Sequence, residues 1–176
     1  LGIAFLNDIV SKIRQIKADT ILDQLRNRVI HLLHQQSQGS KSNDGIDLSL
    51  CVIDKQYNKI QFAGAYNSLY LIRDNELFRF KANRMLIGQY IKKSPFTAQE
   101  FAIQSGDIIY MFSDGYIDQF SGDTGEKFKT KRFKELLLAI HDKPMSRQRD
   151  ILEEKFKLWK GDTDQVDDIL VMGVKF

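Results

Sequence analysis

Apolar residues change their spacing twice along this chain, and that change restricts the fold more than any other feature. Toward the start they recur at every third or fourth position, as Ile3, Leu6, Val10 and Ile13, and again as Ile21/Leu22, Leu25, Val29 and Leu32/Leu33. This period places an apolar stripe on each of two amphipathic helices. From Ile46 the residues alternate or run wholly apolar over Ile46 to Ile53, Lys59 to Ala65, Ser68 to Arg73 and Glu76 to Lys81. With Asp74-Asn75 as a two-residue turn, these segments predict a meander of antiparallel strands. Phe96 to Ile103 predicts another strand, Ser105-Gly106-Asp107 a turn, and Ile108 to Phe112 a central strand buried on both faces. The helical period returns with Phe133, Leu136/Leu137 and Ile140, and after Pro144 with Ile151/Leu152, Phe156 and Trp159, where Ser146 is the expected N-cap. Ile169 to Val174 predicts the last strand.

Helices, strands, helices and a strand in that order predict an α+β fold, an antiparallel β-sandwich flanked by helices, rather than alternating parallel units. A length of 176 residues, 43% hydrophobic and 28% charged, suits a single domain over 1–176 without repeats. The two opening helices need more sheet than the meander offers. A further strand pair is therefore expected upstream of Leu1, in a chain that starts without methionine. Gln35 to Gly45 is polar and glycine-containing and predicts an exposed, mobile loop. A net charge of +3 without a run of five basic residues gives no electrostatic reason to expect nucleic acid or an anionic membrane. No apolar run approaches the roughly 20 residues of a membrane helix. The single cysteine, Cys51, and the absence of a leader predict a cytoplasmic setting.

Two acidic segments stand at strand ends. Asp114-Gly115 follows the buried strand, with Asp118 four residues on; a carboxylate on a rigid strand end beside a glycine suits a metal site. Read alone, Asp-Gly simply turns the chain and Asp118 caps the next short helix. Asp162, Asp164, Asp167 and Asp168 precede the last strand; Mg²⁺ or Mn²⁺ would convert their mutual repulsion into binding, and a solvated acidic loop is the alternative. An EF-hand is excluded, because counting from Asp162 puts Asp167 where glycine is required and Gly173 where glutamate is. His31, His34 and His141 are too few and too poorly spaced for zinc, and Cys51 reads as core. Gly122 to Lys127 lacks the spacing of a phosphate loop and reads as a surface turn. No nucleophile motif is present, which leaves metal-bound water.

Four stretches, Asp44-Gly45-Ile46-Asp47-Leu48-Ser49-Leu50, Phe62-Ala63-Gly64-Ala65-Tyr66-Asn67, Gly106 to Asp118 and Asp167 to Val171, with 53 residues between the two acidic motifs, together resemble the SpoIIE-type branch of the metal-dependent Ser/Thr protein phosphatases, the PPM family. The resemblance implies an α-β-β-α phosphatase fold with two Mn²⁺ or Mg²⁺ ions held at one edge by carboxylates. It implies Asp114 and Asp167 as catalytic metal ligands, with Gly115 and Asp168 beside them, and Asp118 at a weaker additional metal position. Asp47 and Asn67 would support the ligands, Asn67 with Gly64 in a turn near the substrate side. The family's Asp-x-x-Gly-His-Gly motif, whose Asp bridges both metals, precedes a helix resembling Leu1 to Asn7. The chain is therefore expected to lack the first metal-binding motif and to hold a metal pair weakly by itself.

The implied reaction is hydrolysis of phosphoserine or phosphothreonine in one step by metal-activated water. The implied partners are a phosphoprotein substrate, such as an anti-sigma-factor antagonist, and an upstream sensory or signalling module. The alternative is a catalytically silent module of the same fold that binds a phosphoprotein. An unpaired sheet edge would also allow a homodimer.

Overall fold

The sequence periods translate into helices that each find a sheet to cover. The computed structural model describes residues 2–12, 16–36, 45–88 and 94–176. The elements run α1 (Gly2–Lys12), α2 (Ala18–Gln36), β1 (Gly45–Ile46), β2 (Leu48–Asp54), β3 (Lys59–Ala65), β4 (Leu69–Arg73) and β5 (Glu76–Phe80). They continue with β6 (Ile87–Gly88), β7 (Gln99–Ala102), β8 (Ile108–Phe112), α3 (Gly115–Asp118), α4 (Lys129–Ile140), α5 (Met145–Lys160) and β9 (Val171–Lys175). The pairings β1-β6, β2-β3, β3-β7, β4-β8 and β8-β9 are all antiparallel, as predicted for this α+β chain.

The chain divides into two compact units, Leu1–Ser68 with Phe80–Ile103, and Leu69–Arg79 with Gln104–Phe176. In the first, a three-stranded sheet of order β2-β3-β7 and the short pair β1-β6 lie under the two opening helices. Ile9 of α1 and Ala18, Ile21, Leu22, Leu25 and Val29 of α2 meet Ala63, Ala65, Met85, Ile87 and Phe96 in one core. The helical spacing of the α2 residues is what lets a single face reach the sheet. Cys51, opposite Phe62 on β2, is partly buried, and that burial pushes its thiol up to about 12.

In the second unit the sheet order is β5-β4-β8-β9. Four of the five β8 residues are buried, as the unbroken apolar run predicted. Tyr70, Ile72, Ile108, Tyr110 and Phe112 pack against Phe133, Leu137 and Ile140 of α4 and Leu152 of α5. Phe133 sits between two rings, 4.8 Å from Phe112 and 5.0 Å from Tyr116. Its burial contributes about 1.5–3 kcal/mol, with about 0.5–1.5 kcal/mol more per ring pair.

Several boundaries differ from expectation, each for a local reason. Asp47 separates β1 from β2 because the two strands take different partners, β6 and β3. Ser146 is not an N-cap: α5 starts at Met145 with Pro144 at the cap position, and no side chain caps it. The proline ring fixes the entry angle instead. The last strand starts at Val171, since 169 and 170 belong to the approach to it, and the 96–103 segment is extended only over Gln99–Ala102. Gln35 and Gln36 extend α2 and Gly45 opens β1, so only the ends of the predicted loop are seen; its residues 37–44, like Ile13, lie outside the described residues. Asp74 and Asn75 do form the hairpin turn, both with positive φ, at 50° and 62°.

Candidate functional site

Antiparallel pairing of β8 with β9 is what assembles the acidic segments. Their register runs from Ile108 opposite Lys175 to Phe112 opposite Val171, so the chain leaving β8 and the chain entering β9 meet at one sheet end. Ser113 fastens the two there. Its backbone N–H donates to Leu170 O at 3.0 Å, its hydroxyl donates to Asp168 O at 2.8 Å, and the same oxygen accepts from Leu170 N–H at 2.8 Å.

Gly115 is required by this closeness rather than by its backbone angles. A Cβ there would stand 2.5 Å from Asp168 O and 3.1 Å from Asp167 O, inside contact distance of a backbone that Ser113 holds in place. Gly115→Ala is expected to cost about 1–3 kcal/mol by overpacking. Thermal unfolding should show this as a midpoint lowered by roughly 2–12 °C, and an unchanged midpoint would mean that the 167–168 backbone yields freely.

The carboxylates occupy distinct settings. Asp114 precedes α3 with helical angles and its side chain makes no capping bond, leaving the carboxylate exposed at the sheet end. Asp118 does not cap the following segment either. It is the last residue of α3, and its carboxylate pairs with Lys127 at 3.2 Å. Both partners of that pair are nearly half exposed, so water screens it and its contribution is small. Asp167 and Asp168 are exposed; Asp167 Oδ1 accepts from Asp168 N–H at 2.6 Å, and Gln165 Nε2 donates to Asp167 O at 2.7 Å. The Gly122 to Lys127 segment is a turn closed by the Phe120–Lys127 bridge, in keeping with its reading as a surface turn.

Asp47 and Asn67 belong to the first unit. Asp47 is exposed at the break between β1 and β2. Asn67 O accepts the Ser49 hydroxyl at 2.8 Å, and a Cβ on Gly64 would come within 2.5 Å of that same oxygen, so the 64–67 turn closes tightly on β2.

Sequence reading missed one residue that governs this region. Gln119 is fully buried, and its side chain grips the acidic loop. Nothing in the string Asp118-Gln119-Phe120 distinguishes it from a surface glutamine.

The donor set at the junction of β8 and β9 consists of carboxylates and backbone carbonyls, hard oxygens that suit Mg²⁺ or Mn²⁺. Their number falls short: among the described residues, no three His, Cys, Asp or Glu side chains gather closely enough to hold a metal ion. Asp114, Asp167 and Asp168 have suitable donor chemistry but do not by themselves form a metal centre.

The chain matches the family model described as Stage II sporulation protein E (SpoIIE) over residues 3–176. No match was found among curated proteins. Among solved structures it is similar to the SiaA PP2C domain of Pseudomonas aeruginosa, with 24% identity and a TM-score of 0.88, covering 100% of this chain and 68% of that one. It is also similar to the PP2C phosphatase domain with a fragment of the regulatory domain of SpoIIE from Bacillus subtilis, with 18% identity and a TM-score of 0.76, covering 99% of this chain and 48% of that one. A third similar structure is the catalytic domain of the serine threonine protein phosphatase PstP in complex with two manganese ions, with 18% identity, a TM-score of 0.62 and coverage of 97% and 76%. At these identities the structural likeness establishes the fold, and the family match establishes kinship. The match along residues 3–176 places this chain in the SpoIIE family, and its antiparallel α+β architecture is the fold of the PP2C domains it resembles.

Proposed function

We propose that the chain is part of a metal-dependent protein serine/threonine phosphatase domain acting on a phosphoserine or phosphothreonine protein in bacterial signalling. The observation that carries this reading is the junction at Ser113 and Gly115, which holds the Asp114 turn against the Asp167-Asp168 turn at one end of a rigid sheet. Membership of the family supplies the reaction class. Asp114 and Asp167 are the proposed ligands, with Asp168 beside them and Asp118 able to leave Lys127 for a further cation. Such a set needs at least one more carboxylate to hold two Mn²⁺ or Mg²⁺ ions. Bound there, the cations would activate water and offset charge on the phosphoryl oxygens.

The chain's own contribution is positional. β8 and β9 fix the two turns, the missing side chain at Gly115 lets them touch, and α3 joins Asp114, just before its first residue, to Asp118, its last. Asp47 and Asn67 keep the supporting role that the family resemblance implies, and residues 3–176 are read as one domain because the family match runs along all of them. A phosphorylated antagonist of an anti-sigma factor is the proposed substrate type, with a sensory module elsewhere in the protein and a cytoplasmic setting. No helix among the described residues is long and apolar enough to cross a membrane.

In the full-length protein, phosphate release from a phosphoserine peptide and from p-nitrophenyl phosphate should require Mn²⁺ or Mg²⁺, stop on chelation and resume when Mn²⁺ is restored. Turnover that survives chelation would overturn the metal-dependent reading.

A further inference from the structure

The loop bearing Asp162 to Asp168 has a second anchor besides Ser113. Gln119 directly follows Asp118, is 0% exposed, and turns both ends of its carboxamide toward that loop. Nε2 donates to Asp164 O at 2.9 Å and to Thr163 Oγ1 at 3.4 Å, while Oε1 accepts from Val166 N–H at 3.2 Å. The backbone carbonyl of Gln119 is itself fixed, accepting from Trp159 Nε1 at 3.0 Å and from Phe128 N–H at 2.9 Å. The segment from Ser113 to Gln119 thus grips the acidic loop at two places, 168 and 170 through Ser113, 164 and 166 through Gln119. Asp167 lies between the two grips, and Asp114 and Asp118 lie on the segment that makes them.

We propose that Gln119 is a positioning residue of the phosphatase site, fixing Asp167 relative to Asp114 and Asp118 and thereby setting the affinity for the divalent cation. The proposal rests on the reading of the site given above. Its physical basis is the charge of the loop. Asp162, Asp164, Asp167 and Asp168 repel one another, and without an anchor the loop would spread in the absence of a cation and lose that freedom on binding one. A glutamine suits the task because it presents a donor and an acceptor at once, whereas a glutamate would bring a fifth negative charge and an aliphatic residue would leave Asp164 O and Val166 N–H unpaired.

The test compares full-length parent protein, Gln119→Leu and Leu137→Ala by Mn²⁺ calorimetry, thermal unfolding and amide hydrogen exchange. Leu137 is buried in α4 among core residues and makes a cavity when shortened. Gln119→Leu is expected to weaken Mn²⁺ binding by about 10- to 100-fold. Amides of 166–168 should exchange roughly tenfold faster in that variant. Leu137→Ala should lower the thermal midpoint yet leave Mn²⁺ affinity at low temperature unchanged. Should Gln119→Leu fail to fold, Gln119→Asn, one methylene too short, gives the same two readouts.

Mn²⁺ affinity unchanged in the Gln119 variant, or exchange of 166–168 unchanged, overturns the proposal. A parent protein that binds no Mn²⁺ overturns the phosphatase reading and the role in metal affinity with it, while faster exchange in Gln119→Leu would still uphold the anchoring of the loop.

Discussion

Asp114→Ala and Asp167→Ala, each in the full-length protein, are expected to lower phosphatase turnover by about a hundredfold or more, since loss of a ligand exceeds the 10- to 100-fold cost of disturbing the groups behind one. Stability should hardly change. Both carboxylates are exposed, Asp114 caps nothing, and the bond that Asp167 Oδ1 accepts comes from the N–H next to it. Surface changes of this kind stay within about 0.5 kcal/mol, which moves the midpoint by only about 1–2 °C. Asp162→Ala serves as the control for simple loss of negative charge. It removes an exposed carboxylate from the same loop but lies before the Gln119 grip, so its turnover should stay close to that of the parent. Steady-state kinetics across a Mn²⁺ series, with thermal unfolding of each variant, check the prediction. Equal turnover in Asp114→Ala, Asp167→Ala and the parent would sink the assignment of both residues.

The contrast between what sequence patterns reveal and what they conceal follows from the range over which each feature is encoded. Strand β8 is legible because five adjacent apolar residues suffice to specify a buried strand, and the Asp74-Asn75 turn because two adjacent residues tolerate positive φ. The pair β1-β6 is not, since two residues per strand carry no period and their partner lies some forty positions away. The acidic motifs are each visible as local strings. Their meeting, by contrast, depends on the β8-β9 register, which bridges more than fifty residues and is set by packing. Gln119 and Asp107 illustrate the hardest case. Both are polar residues next to turns and look solvated in the sequence, yet each is at least 98% buried and organises the backbone around it. No spacing rule announces a buried polar residue, because what defines it is the set of distant partners that satisfy it.

Asp107 should therefore show the largest single effect on stability. It stands just before β8 and Arg73 ends β4, one step beyond the Ile72–Ile108 pair of the sheet. Arg73 Nε donates to Oδ1 at 2.8 Å and Nη2 to Oδ2 at 2.6 Å, a two-point grip, and Gln104 N–H donates to Oδ2 at 2.8 Å. The Asp107 carbonyl accepts from Phe176 N–H at 2.9 Å, so the same residue also ties down the end of β9. Burial by itself would raise the Asp107 carboxyl, but the Arg73 guanidinium and the Gln104 N–H outweigh it and hold the group below the usual carboxylate range. A carboxyl depressed in the folded state adds stability above its unfolded value of about 3.9 and loses that contribution as pH falls through the folded value. The thermal midpoint of the parent should accordingly fall as the medium is acidified below about pH 4, while that of Asp107→Asn follows a flatter course there. At neutral pH the asparagine takes from Arg73, only 22% exposed, the carboxylate that grips it at two points, leaving Asp74 as a weaker negative neighbour. The expected cost is about 3 kcal/mol, the lower end of the range for a broken buried pair because Arg73 keeps some contact with water. That corresponds to a midpoint roughly 6–12 °C lower. Replacing both partners, as Arg73→Met with Asp107→Leu, should restore part of the loss, since an apolar pair leaves no charge uncompensated. If the double variant is as unstable as Asp107→Asn, the ion pair is not the source of the stability, and the bond that the Asp107 side chain accepts from Gln104 N–H must carry it instead.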